Sequence, residues 1–195
     1  MRGKDLLLEI YKKDQSVFSF GEIVLLFPEI NYQNLKRQIS YYVKRGKILR
    51  LRRGIYAKED FNPFELATKI YTPSYISFES VLKKEGIIFQ ESSSIFVASY
   101  LTRKINCAGL EIIFRKIKNS VLINSAGIER GNNFFIASKE RAFLDTVFVL
   151  KNYYFDNLSD LDWERVFEMV KIYESKALEK RAKDYFKSYQ KENVK

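Results

Sequence analysis

The chain has 195 residues, 46% of them hydrophobic and 30% charged, with Gly (8) and Pro (3) scarce. That composition is globular and excludes a wholly disordered chain. With 34 Lys and Arg against 24 Asp and Glu the net charge is +10. No histidine and a single cysteine exclude His-based catalysis, His metal sites, a zinc cluster and an internal disulfide. No apolar run approaches the ~20 residues that span a bilayer, and the first ten residues are too charged for a signal-peptide core. The expectation is a cytoplasmic protein that makes no membrane contact and needs no cofactor.

The charge is uneven. Residues 1–60 hold 13 basic and 7 acidic residues, and no acidic residue lies between Glu29 and Glu59, where nine basic ones fall. Such a one-signed stretch is either a solvated basic face or the electrostatic footprint of nucleic-acid binding.

In chain order, residues 4–13 carry Leu6, Leu7, Ile10 and Tyr11 on one helical stripe. Ser19-Phe20-Gly21-Glu22 reads as a capping box, with Phe18 and Ile23 as its hydrophobic staple, and Pro28 bounds the short helix that follows. Asn31 caps a third helix whose Leu35, Ile39, Tyr42 and Val43 face a core. At 100° per residue the opposite face centres on Gln33, Arg37, Ser40, Tyr41 and Lys44, with Asn34 at its margin and Lys36 on its flank. These donors and acceptors suit base edges and phosphates. Tyr32 falls nearer the core side, and Gly46 is a left-handed end to the helix. A strand over 48–52, a turn at Arg53-Gly54 and a strand over 55–57 form a hairpin with Arg50 and Arg52 on one face. Three helices and an arginine-bearing hairpin predict a winged helix-turn-helix over residues 1–60. Its third helix would enter the major groove, and Arg50, Arg52 and Arg53 would grip the backbone. A winged helix used only for protein contacts is the alternative.

Asn62-Pro63 marks the boundary to a larger part, 61–195. Here the punctuation predicts a helix over 64–71, a helix capped at Ser77 and closed by Gly86, and strands over 87–89, 95–98, 110–117, 121–128 and 134–137. Together the strands read as an antiparallel meander. Three helices finish the chain, capped at Ser138, at Ser159 with Asp162, and at Ser175. The first is apolar on nearly every side, so its Asp145 needs a partner, and Arg141 one turn earlier is the nearest. The class is α+β: a winged helix-turn-helix, then a larger mixed α/β domain with C-terminal helices.

No catalytic constellation is visible. Glu79, Glu111 and Asp145 are scattered, the glycines form no phosphate-binding loop, and Cys107 has no histidine to activate it. Glu174-Ser175-Lys176 matches the loose half of a metal-dependent nuclease motif, but between helices instead of on a strand. The expectation is no enzymatic activity and no metal.

Three stretches resemble a known family in the right order: Arg53-Gly54-Ile55-Tyr56; Tyr75-Ile76-Ser77-Phe78-Glu79-Ser80-Val81-Leu82 with the later Gly86; and Ile136-Ala137-Ser138-Lys139-Glu140-Arg141-Ala142-Phe143-Leu144-Asp145. They are similar to the R-G-x-Y, Y-I-S-x-x-S-A-L and E-K-A-L-x-D patterns of AbiEi-type antitoxins and related transcriptional regulators. Val81 stands for Ala, Arg141 for Lys and Phe143 for Leu. The resemblance implies a DNA-binding repressor that acts at inverted repeats in its own promoter. It also implies a C-terminal antitoxin domain that counteracts a nucleotidyltransferase-like toxin, as in type IV toxin–antitoxin systems, where a stable direct complex is not required. Direct sequestration of a toxin, or a nuclease fused to a winged helix, are the competing readings.

Overall fold

A computed structural model describes residues 5–90 and 92–193. The chain is mixed α and β and divides into two compact units, Met1–Ile70 and Tyr71–Lys195.

In the first unit the elements run α1 (Leu6–Lys12), β1 (Val17–Ser19), α2 (Phe20–Leu26), α3 (Tyr32–Lys44), β2 (Leu49–Arg52), β3 (Ile55–Ala57) and α4 (Pro63–Ile70). The strands form one antiparallel sheet in the order β1-β3-β2. Leu6, Ile10, Phe18, Ile23, Phe27, Leu35, Ile39, Ile48 and Tyr56 are buried in one apolar cluster, with Leu7, Tyr42 and Val43 partly buried against it; of the expected stripe on α1, Tyr11 is instead exposed. The Ser19 capping box is complete: its Oγ accepts from the Glu22 amide at 3.2 Å, and the Glu22 carboxylate accepts from the Ser19 amide at 2.7 Å.

The boundary after residue 60 does not correspond to the division into units. Helix α4 belongs to the first unit because Glu65, only 2% exposed, accepts from the amides of Ser16 and Val17 at 2.8 and 2.9 Å. It thereby satisfies the start of β1, which the sequence reading did not include. Glu65→Ala leaves two buried amides without that acceptor, and a loss of about 1–3 kcal/mol in urea unfolding of this unit is expected. An unchanged midpoint would mean that water replaces the carboxylate.

In the second unit a six-stranded sheet has the order β6-β7-β5-β4-β9-β8. Its strands are β4 (Ser74–Ile76), β5 (Ile95–Ser99), β6 (Arg103–Cys107), β7 (Leu110–Lys116), β8 (Ile128–Arg130) and β9 (Phe135–Ala137). It is not an antiparallel meander: β5 with β7 and β4 with β9 are parallel pairs. Two stretches expected as strands are otherwise. Ile87 and Ile88 are buried in irregular backbone outside the sheet, and Asn119–Leu122 forms a helical turn, α6, before β8. Both were apolar runs too short for periodicity to separate a strand from other buried backbone. Strands β4 and β6, and all of β8 beyond Ile128, lie outside the expected strands, the first because Ser74–Ile76 follows Pro73 and is only three residues long.

The helices α5 (Glu79–Lys84), α7 (Lys139–Val149), α8 (Trp163–Met169) and α9 (Lys176–Asn193) complete the unit, with a 3-10 turn at Val170–Tyr173. Ser138 caps α7 by accepting from the Arg141 amide, as expected. The caps of α5 and α8 differ from the expected ones. Ser77 is not a cap, because its hydroxyl is given to Asp145, and α8 is capped by Asp162 alone while Ser159 bonds to Asn157.

Asp145 sits at the centre of a fully buried polar cluster. Its carboxylate accepts from Tyr173 at 2.6 Å, Ser77 at 2.8 Å and Tyr75 at 3.0 Å, with the Arg141 Nε at 3.4 Å. The Arg141 guanidinium also donates to the carbonyls of Ala126 and Val121, each at 2.7 Å, and to the Tyr75 hydroxyl at 3.0 Å. Burial pushes the Asp145 carboxyl above its ordinary range, while Arg141 and the hydroxyls of Tyr173, Ser77 and Tyr75 pull it down. Burial also raises both phenols well above theirs, so they remain neutral donors.

Candidate nucleic-acid interface

Helix α3 is set by its ends and its buried stripe. Asn31 caps it, accepting from the Gln33 amide at 2.9 Å. At the other end Gly46 adopts φ +67°, and the amides of Gly46 and Lys47 return to the carbonyls of Val43 and Tyr42 at 3.1 and 2.9 Å. This is a Schellman closure, which a left-handed glycine permits without strain. Leu35 and Ile39 are fully buried, which fixes the rotation of the helix and turns the opposite face to solvent.

Every residue expected on that face is exposed: Gln33, Asn34, Lys36, Arg37, Ser40, Tyr41 and Lys44. Six of them, Gln33, Lys36, Arg37, Ser40, Tyr41 and Lys44, line one shallow hollow of about 430 Å³. Asn34 does not join it. It lies with Arg37, Gln38 and Glu29 along a second hollow of about 550 Å³, whose carboxylate makes it the less anion-friendly of the two. Among the described residues Lys36, Arg37 and Lys44 form no ion pair, although paired lysines occur elsewhere, as in Lys12 with Glu9 and Lys69 with Glu22.

The hairpin carries a second exposed row, Arg50, Arg52 and Arg53. Along β2 exposure alternates, with Leu49 and Leu51 half-buried between the arginines. The register shifts between Arg50 and Arg52, a bulge that increases the local twist of this edge strand. The turn is fastened at its tip, since the Phe20 amide donates to the Gly54 carbonyl at 2.8 Å, tying the hairpin to the start of α2.

Three features were not anticipated. The Arg45 guanidinium lies 5.4 Å from the centroid of the Tyr41 ring, so a further cation stands beside the exposed face. The four-residue separation of Tyr41 and Arg45 was the available signal. Lys58, although part of the acid-free interval, turns away: its ammonium donates to the carbonyls of Lys13 and Tyr11. Tyr32 is 53% exposed instead of core-facing, with its ring edge-on to Phe20 at 5.1 Å.

The other polar candidates belong to the second unit. Glu79 is paired with Arg115, which also stacks over Phe78 and Phe96. Glu111 pairs with Lys104. Glu174, in a left-handed conformation between the 3-10 turn and α9, is exposed and bridges to Lys118, whose hydrogen bond holds its carboxyl below the usual range. Cys107 is buried. Among the described residues no group of three or more His, Cys, Asp or Glu side chains could hold a metal ion, and no helix is long and apolar enough to cross a membrane. No family model matches the chain, and no curated protein matches it.

Proposed function

We propose that the unit Met1–Ile70 is a winged helix-turn-helix that binds double-stranded DNA, with α3 in the major groove and the β2–β3 hairpin on the adjacent backbone. The observation that carries the reading is the solvent face of α3. There Gln33, Lys36, Arg37, Ser40, Tyr41 and Lys44 line one hollow, and none of its three cations is ion-paired among the described residues. A polyanion relieves that mutual repulsion, and the amide, hydroxyl and guanidinium groups beside it can address base edges. The element order α1-β1-α2-α3-β2-β3 with the sheet order β1-β3-β2 supports the same reading. The resemblance to AbiEi-type antitoxins extends it. The protein would repress its own operon at inverted repeats, and the unit Tyr71–Lys195 would counteract a nucleotidyltransferase-like toxin.

A gel shift with the protein's own promoter region tests the first half. A retarded band that unrelated DNA does not compete away at moderate salt is expected, and equal competition by any sequence would contradict it. Arg37→Ala should lose about 1–3 kcal/mol of discrimination at the base it contacts, if the contact is bidentate, whereas Arg52→Ala should weaken all sequences alike. Equal loss of specificity from both would overturn the division of roles. For the second half, co-expression with a nucleotidyltransferase-like toxin encoded beside it should restore growth, and undiminished toxicity would contradict it.

A further inference from the structure

The longest helix presents a second cationic surface. Lys176, Lys180, Lys183, Lys187 and Lys191 of α9 are all exposed, and at 100° per residue they fall within about 80° of arc. The opposite side is apolar, with Leu178 and Ala182 fully buried and Tyr185, Phe186 and Tyr189 half-buried. Packing therefore fixes which way the lysines face. At 1.5 Å per residue the row is ~22 Å long.

Among the described residues no carboxylate of the helix pairs with the row. Glu179 and Lys183, and Lys180 and Asp184, have the spacing of favourable pairs, yet among the described residues none of the five lysines is ion-paired. Instead like charges are neighbours at Lys176–Lys180, Lys180–Lys183, Lys183–Lys187 and Lys187–Lys191, an arrangement that destabilises an isolated helix. Lys176 also stands in the first turn, where the helix dipole disfavours a cation.

We propose that this ridge binds the phosphate backbone of a single nucleic-acid strand without reading its sequence. The row is straight and narrow, and Glu179 and Asp184 lie on its two margins. One strand can follow such a line, with a charge every three or four residues opposite successive phosphates. A duplex curves away from a straight row and brings its second strand over the marginal carboxylates. Lysine ammoniums are point charges without the planar fork that reads base edges, and no aromatic ring lies on this face to stack on a base. The ridge belongs to the second unit, and its reading stands or falls independently of the duplex reading.

The test is fluorescence anisotropy with the full chain, using a labelled mixed-sequence 20-nucleotide RNA, the same sequence as single-stranded DNA, and the corresponding DNA duplex. Replacing the five lysines by Gln should weaken single-strand binding at least about tenfold at moderate salt and flatten the salt slope by roughly 3.5, five contacts at about 0.7 each. Replacing them by Arg should preserve binding. Replacing five other exposed lysines of the same unit, Lys83, Lys84, Lys116, Lys151 and Lys171, by Gln should change it little. The Arg37→Ala/Lys44→Ala variant should still bind single strands whatever becomes of its duplex binding. The proposal is overturned if the ridge variant binds single strands as the parent does, if the control set weakens binding equally, or if duplex binding falls in step with single-strand binding.

Discussion

Asp145→Ala is expected to destabilise the unit Tyr71–Lys195 by about 3–5 kcal/mol, the cost of breaking a buried ion pair from one side. The substitution strands the Arg141 guanidinium, whose side chain is 0% exposed, and takes the acceptor from three buried hydroxyls at once. Tyr173→Phe removes one of those donors and leaves the charge balance intact, so a loss of about 1–3 kcal/mol is expected there. The pair itself is not a net source of stability against an apolar replacement, because both charges give up their hydration. Arg141→Met/Asp145→Leu should therefore unfold at higher urea than Asp145→Ala alone. Chemical denaturation followed by far-UV dichroism reads all three. A loss under 1 kcal/mol for Asp145→Ala would mean that the cluster is hydrated in solution.

That cluster also shows what the sequence could and could not reveal. Arg141 as the partner of Asp145 was legible because a charged residue in an apolar helix needs compensation one turn away. Tyr75, Ser77 and Tyr173 were not, since they lie 70, 68 and 28 residues from Asp145 in the chain. Two of the stretches that carry the family resemblance, Tyr75–Leu82 and Ile136–Asp145, meet in this core. Their shared residue pattern thus has a packing explanation and does not by itself mark an active site. The first unit was more legible, because its signals are local. A capping box, an asparagine cap, a left-handed glycine and a 3.6-residue apolar period together fix the rotation of α3, and with it which side chains reach solvent. The larger sheet is less legible for the opposite reason. Its parallel pairs join strands that are not consecutive in the chain, and of its outer strands Ile128–Arg130 is three residues long and Arg103–Cys107 is mostly polar and exposed. The lysine ridge of α9 is hidden in the composition because the charge count over 151–195 nearly cancels, while the helix segregates its lysines onto one face.

Loss of duplex affinity with salt is the second large effect expected. If about five of the exposed cations on α3 and the hairpin neutralise phosphates, log K should fall against log salt with a slope near −4.5, at roughly 0.9 per contact. That amounts to a roughly 500-fold loss between 50 and 200 mM salt. The effect belongs to backbone contacts and should be the same for any duplex, whereas the preference for the promoter sequence should survive it. Lys44 is the backbone cation to remove and Arg37 the base-reading one, since both line the hollow on the free face of α3 and neither makes an ion pair among the described residues. Their alanine variants touch none of the buried stripe, so the fold should be unaffected.

The measurement that bears most directly on this surface is an anisotropy titration of promoter duplex with the parent chain and with Arg37→Ala/Lys44→Ala, side by side over a salt series. The double variant should lose the preference for promoter over unrelated duplex, through Arg37, and about one phosphate contact's worth of slope, roughly 0.9, through Lys44. Parallel curves of equal slope and equal preference would place the duplex elsewhere on the protein, and the account of α3 would be wrong.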